Sequence, residues 1–160
     1  MIFVIIVVAI VISEHFLKNY IEKNHKLNEK QELFNGNIII QKHYNKGAFL
    51  NFMENKKELV KTVSAVFLGL LVLLFAFALP KKGNSLYKLG LALFLGGAIS
   101  NVSDRFRRGY VIDYCTINFK KLKTVVFNLA DVAIFLGGAF VLLASLISTV
   151  LQGSSDKAFK

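Results

Sequence analysis

Four long apolar stretches, separated by lysine-rich polar segments, constrain the fold of this 160-residue chain more than any other feature. A helix needs roughly 20 mostly apolar residues to cross the hydrocarbon core of a bilayer, which is about 30 Å thick. Hydrophobic residues make up 54% of the chain, and the four stretches contain one charged residue, Lys88. They are residues 2–12, 62–79, 86–102 and 133–151. The pattern predicts a single integral membrane domain over residues 1–160.

The predicted helices leave two long connections and one short turn. The long connections are residues 22–56 and 103–127, and four alternating crossings place both on the same side of the membrane. The short turn follows Pro80, the only proline, and begins with Lys81 and Lys82. We expect the helices at about residues 2–21, 59–79, 86–102 and 129–151.

Short stretches within the long connections predict a small β-sheet at the membrane surface. Residues 37–41 include three consecutive isoleucines, which favour a strand, and residues 45–52 fit a strand or a turn. Tyr110, Ile112 and Tyr114 alternate as in a further short strand. The predicted fold class is therefore an all-α membrane protein, a bundle of four transmembrane helices with a small β-sheet and loop region.

Small residues indicate where two of the helices pack. Gly96 and Ser100 in the third helix, and Ala133 and Gly137 in the fourth, are spaced four apart. This spacing places small side chains on one helix face and lets two backbones approach closely. We predict that the third helix packs against the fourth through these residues.

The net charge of +10 arises from 17 lysines and three arginines against ten acidic residues. Because the lysines flank the apolar stretches and arginines are few, the charge favours membrane lipids over nucleic acid as partners. Both long connections are basic, so the positive-inside rule alone would place them in the cytoplasm.

Cysteine and histidine contribute little to the predicted chemistry. The single cysteine, Cys115, excludes an internal disulfide and has no convincing base nearby, which favours a packing role over a nucleophilic one. His15, His25 and His43 lack the spacing of metal ligands. We expect no metal and no cofactor.

Three of the four aspartates, Asp104, Asp113 and Asp131, lie between the third and fourth apolar stretches. A carboxylate beside hydrocarbon is costly and usually has a function. Two facing carboxylates share one proton, so the ionised one can deprotonate a water while the neutral one polarises a carbonyl oxygen. Asp113 and Asp131 are therefore a candidate aspartyl protease pair.

Asp104 is the alternative partner for Asp113, but the arginines that follow it favour a structural ion pair instead. Arg105 itself either pairs with Asp104 or contacts a phosphate.

Asn101 and Asn128 either orient a substrate or cap helix ends. As the cap of the fourth helix, Asn128 would place Asp131 in the first turn, where the helix dipole favours negative charge. Asp131 would then be the base and Asp113 the proton carrier.

Glu14 and Lys18 are four residues apart, so they share one helix face with the acid N-terminal. They form either a charge pair at the membrane boundary or a structural pair that orients the active-site end.

Four polar stretches at the ends of the apolar segments carry a resemblance to a known family. They are Glu14-x-x-x-Lys18, Asn45-Lys46-Gly47-Ala48, Asn101-Val102-Ser103-Asp104-Arg105 with Asp113, and Phe127-Asn128-x-x-Asp131. With these stretches the chain resembles bacterial lipoprotein signal peptidase, also called signal peptidase II, over about residues 2–150. The last two stretches match the family's hallmark blocks in wording and spacing.

The resemblance implies a role for each matching residue. Asp113 and Asp131 match the aspartates of the family's Val-Val-Asp-Phe and Phe-Asn-x-Ala-Asp blocks and would form the catalytic dyad. The residues implied to bind substrate or shape the site are Asn45, Gly47, Asn101, Asp104, Arg105 and Asn128, with Glu14 and Lys18 structural near the site.

Several positions depart from the family's pattern. Glu14 stands where the family usually has Asp, Leu17 where it has Thr or Ser, and Ser100 where it has Gly. Residues 48–50 read Ala-Phe-Leu where the family has Ala-Ala-Phe. These departures affect the shape of the pocket and the fit of the substrate more than the chemistry.

The resemblance also implies an activity and a location. The activity is that of a membrane aspartyl endopeptidase that cleaves signal peptides from prolipoproteins before a diacylglyceryl-modified cysteine. The location is the bacterial cytoplasmic membrane, with the β-sheet region and the active site on the extracytoplasmic face, contrary to the positive-inside expectation. We expect a monomer whose partners are the lipidated prolipoprotein and membrane lipids.

Two other functional classes stay open at this point. One is a non-catalytic paralogue that binds lipoproteins, and the other is a small transporter with polar residues aligned across the bilayer at Glu14, Lys18, Asn101 and Asp131. A presenilin- or prepilin-type protease is a lesser alternative because the chain has no Gly-x-Gly-Asp.

Overall fold

The computed structural model describes residues 1–47, 52–119 and 125–158. In these ranges four helices are long and apolar enough to cross a membrane, in agreement with the apolar stretches. They are α1 (Ile2–Asn24), α2 (Lys57–Ala78), α3 (Ser85–Arg108) and α4 (Leu129–Ala158).

α3 is the central helix of the bundle. It packs against α1, α2 and α4. The hydrophobic core of the bundle includes Val7 of α1, Phe75 of α2 and Leu91 of α3. Large apolar side chains on the outer surfaces of α2 and α4, such as Phe77 and Phe135, remain exposed. Such surfaces suit contact with lipid, where every backbone polar group is satisfied within the helix.

A three-stranded antiparallel sheet joins the two long connections. Its strands are β1 (Lys30–Leu33), β2 (Ile38–Asn45) and β3 (Val111–Ile117), in the order β1-β2-β3. β1 and β2 form a hairpin within the first connection, whereas β3 comes from the second. β2 covers residues 38–41 of the first predicted strand but only Asn45 of residues 45–52. β3 covers the predicted strand around Ile112, and β1 is an additional strand. Residues 48–51 of the predicted strand or turn lie outside the described ranges.

Two faces of α3 contact different helices. The prediction that Gly96 and Ser100 pack against the fourth helix is wrong. A Cβ atom built on Gly96 would lie 3.0 Å from Ile10 of α1, not against α4, and Ser100 also faces α1, where it contacts Lys18. The face toward α4 instead carries Gly90 and Gly97. Successive helical residues are rotated by about 100°, so Gly96 and Gly97 point in different directions.

Close backbone contact between α3 and α4 depends on glycine. A Cβ on Gly90 would lie 2.8 Å from the Gly137 carbonyl oxygen, and one on Gly97 would overlap the Ala130 carbonyl oxygen. Gly137 therefore contacts α3 as predicted, although its partners differ from those expected.

Residues 103–108, which we expected to begin the second long connection, are the last turns of α3. Asp104 and Arg108 form an ion pair one turn apart, at 3.2 Å, and basic side chains near a helix C-terminus interact favourably with its dipole. Gly109, in the left-handed region at φ 78°, ends the helix. α1 and α4 also extend beyond the predicted ends, to Asn24 and Ala158.

We predict that Gly97→Ala destabilises the bundle by about 1–3 kcal/mol, because the added methyl group must displace the α4 backbone. The matched control is Gly69→Ala in α2, where an added Cβ meets nothing within 4 Å and helix propensity favours alanine by up to about 1 kcal/mol. Thermal unfolding of both variants in the same detergent measures the difference. Equal melting temperatures would contradict the proposed close packing.

Candidate active site

Asp113 is held on β3 by two amide donors. It is 2% exposed, and its carboxylate accepts hydrogen bonds from the side-chain Nδ2 of Asn45 at 3.1 Å and of Asn128 at 2.7 Å. The oxygen bound by Asn45 is Oδ2, and the one bound by Asn128 is Oδ1. Both oxygens are therefore fixed in direction.

A β-bulge in β2 brings Asn45 to Asp113. The pairing shifts between Ile40 and His43, so that His43 lies opposite Asp113 and Asn45 opposite Val111. Side chains two residues apart on a strand share a face. Without the extra residue of the bulge, Asn45 would project from the other face of the sheet.

Asp131 lies in the first turn of α4, and Asn128 caps this helix as predicted. The Asn128 Oδ1 atom accepts from the Asp131 backbone N–H at 2.9 Å, while the Asn128 N–H donates to the Asp131 Oδ2 atom at 3.1 Å. This reciprocal arrangement is a capping box with aspartate at its third position. The other oxygen, Oδ1, accepts from the Asn101 side chain at 2.8 Å.

Both aspartates contact Asn128, and both line one cavity of about 320 Å³. Asn128 contacts Asp113 through its side chain and Asp131 through its backbone. The cavity has a polar end, formed by the aspartates with neighbouring asparagines and an arginine, and an apolar wall from α2, α3 and α4. The wall includes Val63, Phe67, Phe94, Ala98 and Ile134.

Asp113 binds a proton more tightly than an ordinary aspartate does. Burial, and next the negative charge of Asp131, raise the pKa of Asp113 to about 7, against the opposing effects of the Asn45 and Asn128 hydrogen bonds and the charge of Lys18. A carboxyl group with this pKa carries a proton for much of the time near neutral pH. The pair is thus suited to hold one shared proton.

Lys18 is the centre of a buried charge network behind the cavity. It is 1% exposed, and its Nζ atom lies 3.1 Å from Glu14 and 3.0 Å from Asp104. It also donates to Ser100 at 3.0 Å and to the Asn101 Oδ1 atom at 2.9 Å. Because Oδ1 of Asn101 faces Lys18, its Nδ2 group is directed toward the aspartate pair. Glu14 and Lys18 are therefore a buried structural pair.

Asp104 belongs to this network and not to the cavity. It pairs with Lys18 and with Arg108, so the predicted structural ion pair is confirmed, with Arg108 as the arginine partner. Arg105 instead donates to the Gly47 carbonyl oxygen at 2.9 Å and to the Asn101 carbonyl oxygen at 3.3 Å. Arg105 also lines the cavity.

Gly47 holds Asn45 in the orientation that Asp113 requires. The Gly47 N–H donates to the Asn45 Oδ1 atom at 3.2 Å, which leaves the Nδ2 group of Asn45 for Asp113. The cavity is lined by the aspartate pair and by three of the residues predicted to bind substrate or shape the site, namely Asn45, Asn101 and Arg105. Asn128 and Gly47 act on these residues through hydrogen bonds.

Two buried side chains in this region were not identified as functional from the sequence. Ser100 was interpreted as a small packing residue, but its hydroxyl binds Lys18. Tyr114 was interpreted only as a strand residue, but its hydroxyl donates to the Glu14 Oε1 atom at 2.5 Å. The available signal was position: each residue carries a hydroxyl directly beside a predicted site residue, Ser100 beside Asn101 and Tyr114 beside Asp113.

Cys115 lies beside this region on β3 and is partly buried. Burial raises the pKa of the Cys115 thiol, which disfavours the nucleophilic thiolate at neutral pH. Among the described residues, no group of three or more histidine, cysteine, aspartate or glutamate side chains could hold a metal ion.

Sequence comparison relates the chain to one family. The family model described as signal peptidase (SPase) II matches residues 6–147. Proteins named lipoprotein signal peptidase from Lactobacillus johnsonii and Lactobacillus gasseri are each 33% identical to the chain, over 135 and 141 residues. These alignments cover 84% and 88% of this chain and 85% and 89% of the relatives.

Structure comparison supports the fold. Two solved structures, each described as a bacterial membrane enzyme, superpose with TM-scores of 0.80 and 0.77 at 23% identity. They cover 92% and 90% of this chain and are themselves covered over 88% and 92%. At this identity the similarity shows a shared fold.

We predict that Lys18→Met destabilises the protein by about 3 kcal/mol or more, because it leaves Glu14 buried without its cation and Asp104 with Arg108 alone. The control is Lys61→Met, which removes an exposed pair with Glu58 at 3.7 Å and should cost less than about 1 kcal/mol. Denaturant unfolding in one detergent compares the two. Similar losses would show that the buried network does not stabilise the bundle.

Proposed function

The chain belongs to the signal peptidase II family, and we propose that it is an aspartyl endopeptidase that removes signal peptides from diacylglyceryl-modified prolipoproteins in the membrane. The observation that carries this proposal is the position of Asp113 and Asp131 in one cavity, linked by Asn128. Peptide hydrolysis by paired carboxylates requires this arrangement.

In the proposed mechanism, a water lies between the two carboxyl groups at the polar end of the cavity. Asp131, in the first turn of α4 where negative charge is favoured, takes a proton from the water. Asp113 holds the shared proton and donates a hydrogen bond to the scissile carbonyl oxygen. These steps need only the two carboxyl groups and a water, and no cofactor.

The neighbouring polar groups would position the peptide. Asn45, Asn101 and Arg105 line the cavity beside the aspartates and provide side-chain donors for substrate carbonyl groups. Asn128 would act indirectly, by fixing both aspartates. Glu14, Lys18 and Asp104 would act as structural residues behind the site.

The cavity wall fits a lipidated substrate. Its polar end contains the candidate catalytic groups, while Val63, Phe67 and Ile134 give its wall an apolar character. A diacylglyceryl group could therefore remain in an apolar environment while the scissile bond meets water. We propose a monomer that contacts the prolipoprotein and the surrounding lipids.

We propose that the chain lies in the bacterial cytoplasmic membrane, with the sheet and the aspartates on the extracytoplasmic face. The substrate supports this orientation, because a signal peptide is removed after its precursor has been translocated. Lysines in the long connections would then face anionic headgroups of the outer leaflet.

A transporter would use a polar path across the bilayer. Instead, Glu14, Lys18, Asn101 and Asp131 belong to one connected cluster, on the side of the bundle that contacts the sheet. This arrangement favours the protease over the transporter.

We predict that Asp113→Asn and Asp131→Asn each reduce cleavage of a diacylglyceryl-modified precursor by at least about 10²-fold, because each removes one acid–base group. Glu58→Gln, an equivalent change at an exposed carboxylate, should leave cleavage unchanged. The assay compares initial rates in detergent, with thermal unfolding as a check on folding.

Other outcomes of this assay are also informative. Full activity in either aspartate variant would end the dyad assignment, and an inactive wild-type protein would favour the non-catalytic paralogue. Equal cleavage of a precursor without the diacylglyceryl group would contradict the proposed substrate class.

We predict that kcat/KM falls as the pH rises above about 7, because Asp113, whose pKa is raised to about 7, loses the shared proton. Asn45→Ala removes a hydrogen bond that lowers this pKa, so the alkaline limb should move to higher pH. A pH profile of kcat/KM for wild type and variant measures the shift. A limb that moves to lower pH would contradict the role of Asn45.

A further inference from the structure

Tyr114 directly follows Asp113 on β3 and connects two helices of the site. It is largely buried, and its hydroxyl donates to the Glu14 Oε1 atom of α1 at 2.5 Å. The Tyr114 hydroxyl oxygen in turn accepts from the backbone N–H of Leu129, the first residue of α4, at 3.1 Å. One hydroxyl therefore binds α1 and α4 from the strand that carries Asp113.

The contact with Leu129 acts on the start of α4. The first N–H groups of a helix have no partner within the helix, and Tyr114 supplies one for Leu129. Leu129 lies between Asn128, which contacts both aspartates, and Asp131. A shift of Leu129 would thus move both groups relative to Asp113.

The contact with Glu14 acts through the charge network. Glu14 is fully buried and pairs with Lys18. Lys18 binds the Asn101 Oδ1 atom, and the Nδ2 group of Asn101 binds Asp131. Removing the Tyr114 hydroxyl would leave a buried carboxylate oxygen without its donor at the first step of this chain.

From these contacts we propose that Tyr114 is a positioning residue for Asp113 and Asp131, an inference that rests on the proposed function. Tyr114 does not line the cavity, so it acts through Leu129 and Glu14 and not on the substrate. Its hydroxyl remains protonated, because burial raises the pKa of Tyr114, and it therefore stays a donor to Glu14.

A second tyrosine provides a matched control. The Tyr44 hydroxyl donates to the Glu22 Oε1 atom at 2.9 Å, so it also binds a glutamate of α1 from the sheet. Glu22 lies about two helical turns beyond Glu14. In the described part of the chain, the hydrogen bonds that involve a side chain join Tyr44 and Glu22 to each other, to Lys42 and to Tyr110, and not to the aspartates or Asn128. This pair therefore has the same chemistry without the connection to the site.

The experiment compares Tyr114→Phe with Tyr44→Phe in the cleavage assay on a diacylglyceryl-modified precursor. We expect Tyr114→Phe to lower kcat about tenfold with KM within about twofold of wild type, because only the geometry of the pair changes. Tyr44→Phe should leave both constants within about twofold. Thermal unfolding of each variant in the same detergent measures its loss of stability. A purely structural role for Tyr114 would lower stability without a specific loss of kcat.

A kcat for Tyr114→Phe no lower than that of Tyr44→Phe would overturn the inference, as would a change in KM alone. If Tyr114→Phe fails to fold, Glu14→Asp shortens the acidic side chain and so draws its carboxylate away from the Tyr114 hydroxyl without altering the strand. This variant should show the same loss confined to kcat. Asp113→Asn sets the inactive baseline. A wild-type rate at this baseline would refute the proposed function, whereas an active wild type with an unaffected Tyr114→Phe would refute only the role of Tyr114.

Discussion

The rest of the site depends on the pairing of the buried Lys18 ammonium group with its neighbours. A charge inside an apolar bundle is tolerated only when it is paired and hydrogen-bonded, and Lys18 meets this condition through Glu14 on its own helix and Asp104 on α3. The pair with Asp104 fixes α1 against α3. The hydrogen bond from Lys18 to the Asn101 Oδ1 atom determines the direction of the Asn101 amide, which would otherwise be free to present its oxygen to Asp131.

Local sequence patterns predicted the parts of this structure that depend on neighbouring residues. The apolar stretches predicted the four helices, and Asn128 with Asp131 predicted the cap of α4, because both follow from short-range chemistry. The contacts of Lys18 with Ser100 and of Tyr114 with Glu14 join residues 82 and 100 positions apart. Such contacts depend on how the helices are rotated against each other. The same dependence explains why Gly97, and not Gly96, meets α4, and why the bulge that turns Asn45 toward Asp113 was not foreseen.

One departure from the pattern of the resembled family takes part in the buried network. Glu14 stands where that pattern has aspartate, and it accepts the hydrogen bond of Tyr114. The extra methylene of glutamate allows its carboxylate to contact both Lys18 and the Tyr114 hydroxyl. Glu14 thus supplies the acceptor of this hydrogen bond and Tyr114 the donor.

The cavity wall has a consequence for how a substrate arrives. Val63 and Phe67 line the cavity and are also more than half exposed on the outer surface of α2, so the cavity has an edge on the bilayer. For a lipid-anchored substrate, approach to such an edge is a search in two dimensions. Its encounter rate is set by the number of substrate molecules per unit area of membrane and by lipid viscosity, and not by bulk concentration.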